Sequence, residues 1–219
     1  MRSVLVLILV LAATACSAGG GDAATTTVPE AEPAVVVARW LSGVATSDVT
    51  ALETYVEPTG IAVLASVENS LRSEETVTLL ESGFSDQLVV DYWVSFRTDF
   101  EAIRGFSVQA VTVGELVPIP DQPDFTAVEV ISPESTGLVI LRRAGADRWQ
   151  VDAAATVGPA LVGPLGEYLV SALQGDNAET IAEAYRTGIV PGLDAAISLD
   201  PDNTDLVFET EYIRQLLAD

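Results

Sequence analysis

Carboxylates and tyrosines are the side chains through which this sequence could do chemistry. It holds 32 Asp and Glu residues against ten arginines, with no histidine and no lysine. Without histidine the commonest general base and metal ligand is missing, and without lysine no Schiff base can form. What is left is a carboxylate base working beside a tyrosine donor in an apolar cavity. Asp91 next to Tyr92, Asp99, Glu115, Glu129 and Asp152 are the candidates. Glu129 is the least ordinary, because it alternates with Phe125, Ala127 and Ile131 on one face of an expected strand. If that face is buried, the carboxylate needs a partner, and Arg142 could supply it. If the face is wet, which is the commoner arrangement, Glu129 is a surface carboxylate. Glu129, Arg142, Asp91 and Tyr92 are therefore the candidate pocket residues, and no residue is assigned a catalytic role.

Other sites are less well supported. Asp200, Asp202, Thr204 and Glu211 have the offsets of calcium-loop ligands, but Asp205 stands where a glycine is needed for the turn. A helix-connecting turn explains the segment better. No phosphate loop, zinc spacing or serine-nucleophile elbow is found, so no metal or cofactor is expected.

The elements that must position these residues follow from periodicity. Val37, Trp40, Leu41 and Val44 recur at helical spacing after Pro33, and Thr46, Ser47 and Asp48 can cap a short second helix that Pro58 ends. Helix is also expected over 61–71 and again after Ser73-Glu74-Glu75. The strongest helical candidate is 86–104, where Val89, Tyr92, Trp93, Phe96, Phe100 and Ile103 form a broad apolar face taken as core. From Gly105 the pattern turns extended. Strands are expected over 106–117, 125–132, 137–143 and 148–155, joined by short Pro- and Gly-containing turns that favour an antiparallel meander. In the last strand Trp149, Val151 and Ala153 are expected to face the core, with Arg148, Gln150 and Asp152 in water. After Gly158-Pro159 the chain reads as helical again, with starts at Gly163-Pro164, a capping box at Asp176–Glu179, Pro191 and Thr204.

The amino terminus is an address. Arg2, the apolar run from Val4 to Leu11 and the small residues 12–15 have the order of a secretory leader, and the run is too short to span a bilayer. Ala13-Thr14-Ala15-Cys16 resembles the lipobox of bacterial lipoproteins, although leucine is more usual three residues before the cysteine. The resemblance implies cleavage before Cys16, diacylation of its thiol and attachment to the outer face of the cell membrane, an anchor of two acyl chains. The alternative is an ordinary cleaved leader that frees the thiol. Residues 17–33, small and polar, read as a flexible tether spanning about 20 Å.

A second resemblance lies in the body of the chain. Arg39-Trp40-Leu41, Ser47-Asp48-Val49-Thr50-Ala51-Leu52 and Tyr55-Val56-Glu57-Pro58 look like the start of the nuclear transport factor two-like, or SnoaL-like, superfamily, with Ser47 where glycine is usual. Asp147-Arg148-Trp149-Gln150-Val151-Asp152 resembles that family's closing strand. The resemblance covers 33–157 and implies a curved antiparallel sheet wrapped against helices as a cone, often with an apolar pocket. The superfamily includes isomerases, cyclases and non-catalytic binding domains, so the fold does not fix the activity. The helical block 61–104 is longer than the family's usual insert, and everything after Pro159 lies outside it.

These readings give an α+β protein: N-terminal helices on a cone-like antiparallel sheet of about four strands, followed by a helical C-terminal tail. Its parts are a leader at 1–15, a lipid-anchored tether at 16–33, an α+β domain at 34–157 and a helical extension at 158–219. A net charge of −22 argues against nucleic acid as a partner. The expected function is non-catalytic binding at the bacterial cell envelope. The partners would be the membrane, through Cys16, and a small apolar ligand or an envelope protein. A protein-interaction module that uses the acidic tail is the alternative, and a SnoaL-like enzyme comes third.

Overall fold

The computed structural model describes residues 32–145 and 148–218. Cys16, the leader and nearly all of the tether lie outside the described residues. Pro33 opens α1 (Pro33–Thr46), where its missing N–H and fixed φ suit the first turn. Ser47 ends the helix with φ 53°, the left-handed conformation that glycine adopts most easily. The Asp48 carboxylate then accepts the N–H of Thr50 and caps α2 (Val49–Tyr55). Pro58 opens α3 (Pro58–Glu68) instead of ending α2. Glu57, just before it, accepts N–H groups from Thr59 and Gly60 at 3.0 and 2.6 Å. α4 (Ser73–Ser82) starts where the Glu75 carboxylate reaches back to the Arg72 N–H. α5 (Gln87–Arg104) is capped by Asp86 and stopped by Gly105 at φ 71°.

The strands β1 (Thr112–Pro118), β2 (Phe125–Ile131), β3 (Thr136–Arg143) and β4 (Trp149–Val151) form an antiparallel sheet in sequential order. β1 carries a bulge between Val113 and Leu116. The chain is thus α+β, with helices before a four-stranded meander and helices after it.

Two strands are shorter than their patterns predict. β1 begins at Thr112 because 108–110 form a single 3-10 turn, with the Val108 N–H held by Glu101 at 2.9 Å. β4 ends at Val151 because Asp152 is the cap of the next helix, its Oδ1 accepting the Ala155 N–H at 2.8 Å. Of the expected wet face of the last strand only Arg148 is exposed; Gln150 and Asp152 are buried like Trp149 and Val151. β4 pairs with β3 on one side and meets Val56, at the end of α2, on the other.

The C-terminal part is α6 (Ala153–Ala172), α7 (Ala178–Ala184), α8 (Val190–Leu199) and α9 (Thr204–Ala218). At the start of α7, Asn177 makes no side-chain capping bond. A π-helical turn at Tyr185–Ile189 leads from α7 into α8. α6 runs straight through Pro159 and Pro164, so the boundary expected at 157/158 falls inside a helix. Packing overrides the prolines, because α6 lies against α3, α8 and α9 and buries Val157, Leu165 and Leu169. A single core cluster extends from Val36 to Ile213. Its N-terminal half is aromatic. Trp40 meets Phe96 and Phe100 edge-on, and Trp93 stacks on Phe96 at 5.3 Å, so these rings are core as their spacing predicts. No helix among the described residues is long and apolar enough to cross a membrane.

Candidate functional site

Three helices leave a cleft of about 450 Å³ between them, within the range of small-molecule sites. α5 forms its floor: Tyr92, Phe96, Asp99 and Ile103 fall on one helical stripe, and Phe100 lies beside them. The last turns of α3 contribute Leu64, Val67 and Glu68 to one wall. Val157, Leu161 and Pro164 of α6 make the other. The lining is mostly apolar, with three polar groups converging on it. Glu68 and Asp99 stand at the rim on opposing helices, and Tyr92 is buried below them.

The electrostatics follow from that placement. The Glu68 carboxyl is held above the usual carboxylate range, first by its partial burial and then by the negative charge of Asp99. The Tyr92 phenol is pushed far above its ordinary value by burial, with Glu68 and Asp99 adding to the effect. Tyr92 is 5% exposed, yet its hydroxyl makes no hydrogen bond among the described residues. Glu68 and Asp99 enter no ion pair among those residues either. No arginine among the described residues lines the cleft.

Of the four candidate pocket residues, only Tyr92 belongs to this cleft. Asp91, one residue away, points outward, is exposed and accepts a bond from Gln87 Nε2 at 2.8 Å. A one-residue step on a helix turns a side chain by about 100°, so Asp99, seven residues after Tyr92, takes the place expected of Asp91. Glu129 is half-buried on the sheet, its side chain lying over Gly114. Arg142 is not its partner. The register pairs Glu129 with Leu138 and Arg142 with Phe125, which sets the two about 13 Å apart along the strands. Glu115 sits exposed on the bulged strand β1. Glu68 was missed, although it follows Leu64 by four residues and so shares its helical face.

Arg142 belongs instead to a second constellation. Its Nη2 lies 2.9 Å from Asp152 Oδ2. Its Nη1 donates to the Thr187 carbonyl at 2.6 Å and Nη2 to that of Gly188 at 3.2 Å, while the guanidinium lies over the Phe125 ring. Asp152 is fully buried, and its carboxyl is pushed up to about 6. Burial outweighs the Arg142 charge and the Ala155 N–H, and Glu57 adds to the rise. Oδ2 and Arg142 Nε are left without an aligned hydrogen bond, so the pair is close but poorly satisfied. None of these groups lines the cleft; they fasten the sheet to the π turn.

A shallower depression of about 430 Å³ lies between the end of α5 and the β2–β3 turn. Its carboxylate Glu101 is already engaged by the Val108 N–H, Ser107 and Arg97. Among the described residues no three metal-ligating side chains converge. Comparison with protein-family models, with curated proteins and with solved structures found no match to the chain.

Proposed function

We propose that this is a lipid-anchored, extracytoplasmic binding protein of the bacterial cell envelope that holds a small, largely apolar ligand and catalyses nothing. The observation that carries the proposal is the cleft between α3, α5 and α6, with its aromatic floor and few polar groups. Among the described residues its lining offers no serine, cysteine, histidine or lysine, so serine or thiol nucleophiles, imidazole catalysis and Schiff-base chemistry have no residue to work with there. The lipobox-type residues Ala13 to Cys16 support the anchor, and the tether would hold the cleft just off the membrane. The likeness to the SnoaL-like superfamily supports an apolar pocket beside the sheet, but the cleft here lies between helices.

Native mass spectrometry of the chain purified from a bacterial envelope tests the proposal. The expected result is an additional mass beyond the lipid that is lost on denaturation and is absent from a cleft-filling Val67→Trp variant. A chain equally bare in both forms would sink it.

A second reading has its own observation. Phe208 is 70% exposed on α9, with Val207 and Tyr212 also exposed. An exposed aromatic on an acidic helix is what an interaction module would present to a partner protein.

A further inference from the structure

We infer that the cleft between α3, α5 and α6 takes an amphipathic organic cation: a protonated amine at the Glu68–Asp99 rim, with its compact apolar body on Phe96 and Phe100. The inference rests on the binding function proposed above and specifies the ligand class.

The argument begins with charge. Two carboxylates stand on opposing helices at an apolar cleft that no arginine among the described residues lines, and the charge of Asp99 already disfavours ionisation of Glu68. An anionic ligand would add a third negative charge. A neutral apolar ligand would fill the floor but strip water from both carboxylates without replacing it. A cation alone satisfies both walls while its apolar part covers the rings.

Tyr92 is an independent observation. Its side chain is nineteen parts in twenty buried and lines the cleft, and its hydroxyl, which is not among the atoms shut off from solvent, has no partner among the described residues. A hydroxyl open to an otherwise apolar cleft is one of the few polar groups through which a bound ligand can be oriented. The phenol is kept protonated, so its oxygen can accept a hydrogen bond from a bound ammonium. The strongly negative chain would also draw cations toward the cleft.

The test uses the full chain in phosphatidylcholine nanodiscs, with empty nanodiscs as reference, titrated calorimetrically with three probes of one shape: 1-aminoadamantane, 1-adamantanol and adamantane-1-carboxylate. The amine is expected to bind at least about tenfold more tightly than the alcohol, and the carboxylate not at all. In the Glu68→Gln/Asp99→Asn double variant the amine should fall to the level of the alcohol, while Asp91→Asn, outside the cleft, leaves it unchanged. Both rim residues are exposed, so the fold should tolerate these changes. If the alcohol binds as tightly as the amine, the cation is wrong and the binding function stands. If the amine binds but ignores the double variant, the rim is not its site and the inference falls. If none of the three probes binds, both proposals fall together.

Discussion

Arg142 Nη2 lies 2.9 Å from Asp152 Oδ2, and the same guanidinium donates to the carbonyls of Thr187 and Gly188. One side chain on β3 thus joins the cap of α6 to the π turn between α7 and α8. The π turn frees carbonyls from the regular helical ladder, and Arg142 satisfies two of them. Replacing Arg142 with Met should therefore cost about 3–5 kcal/mol in urea unfolding at pH 7, since it leaves a buried carboxylate and two carbonyls unmatched. The Arg142→Met/Asp152→Leu double variant should be clearly less destabilised than the single one. Equal losses would mean that the carboxylate is not what the arginine serves.

Asp152 also sets a pH dependence of unusual sign. Its carboxyl titrates near 6 in the folded chain and near 3.8 when unfolded, so between those values the folded state holds more protons. Its contribution to stability is therefore fullest below about pH 4 and is lost as pH rises toward 6. Asp152→Asn should gain on the wild type by up to about 3 kcal/mol between pH 4 and 7 in paired denaturant titrations. A difference that does not vary with pH would show that burial does not dominate at this carboxylate.

Gly192 sits where α8 passes the same carboxylate. A Cβ there would lie 2.9 Å from Asp152 Oδ1 and 3.0 Å from the Ala155 nitrogen, which belongs to backbone and cannot swing aside. Gly192→Ala should cost about 1–3 kcal/mol. Gly163 in α6 has open space at that position, so Gly163→Ala should instead stabilise by about 0.5–1 kcal/mol through helix propensity alone. Thermal unfolding of the two variants checks both signs.

The contrast between Asp99 and Asp91 shows how far the sequence could be read. The helices and the meander were legible because apolar spacing and turn residues agreed over 33–56, 86–104 and 125–143. The Asp152 error came from following a period of two past the end of β4, although Asp152-Ala-Ala-Ala is itself a helix-start signal. The prolines of α6 were read as punctuation because single-residue propensity takes no account of a helix packed against three others. The cleft was half legible. Tyr92 was named from its chemistry, but which carboxylates join it depends on the angle between α3 and α5, a tertiary fact with no local signature.

The anchor is tested separately from the cleft. Cys16→Ser should move the protein from the membrane fraction to the soluble extracytoplasmic fraction on cell fractionation. The two acyl chains proposed on Cys16 would make attachment stable, and no described helix is long and apolar enough to replace them. Retention of the serine variant in the membrane would show that lipidation at Cys16 is not what holds the chain there.

Tyr92 and Tyr185 are both buried, yet their hydroxyls should answer differently to removal. Tyr185 donates to the Leu165 carbonyl at 2.9 Å, so Tyr185→Phe breaks a made bond and should cost about 1 kcal/mol. Tyr92 makes no such bond, so Tyr92→Phe should leave stability within about 0.5 kcal/mol of wild type or raise it slightly. The same substitution should weaken 1-aminoadamantane binding severalfold and leave 1-adamantanol binding unchanged. A hydroxyl retained only for packing would give the reverse, a loss of stability with no change in the preference for the amine. Measuring the two tyrosine variants side by side separates a structural phenol from one that waits for a ligand.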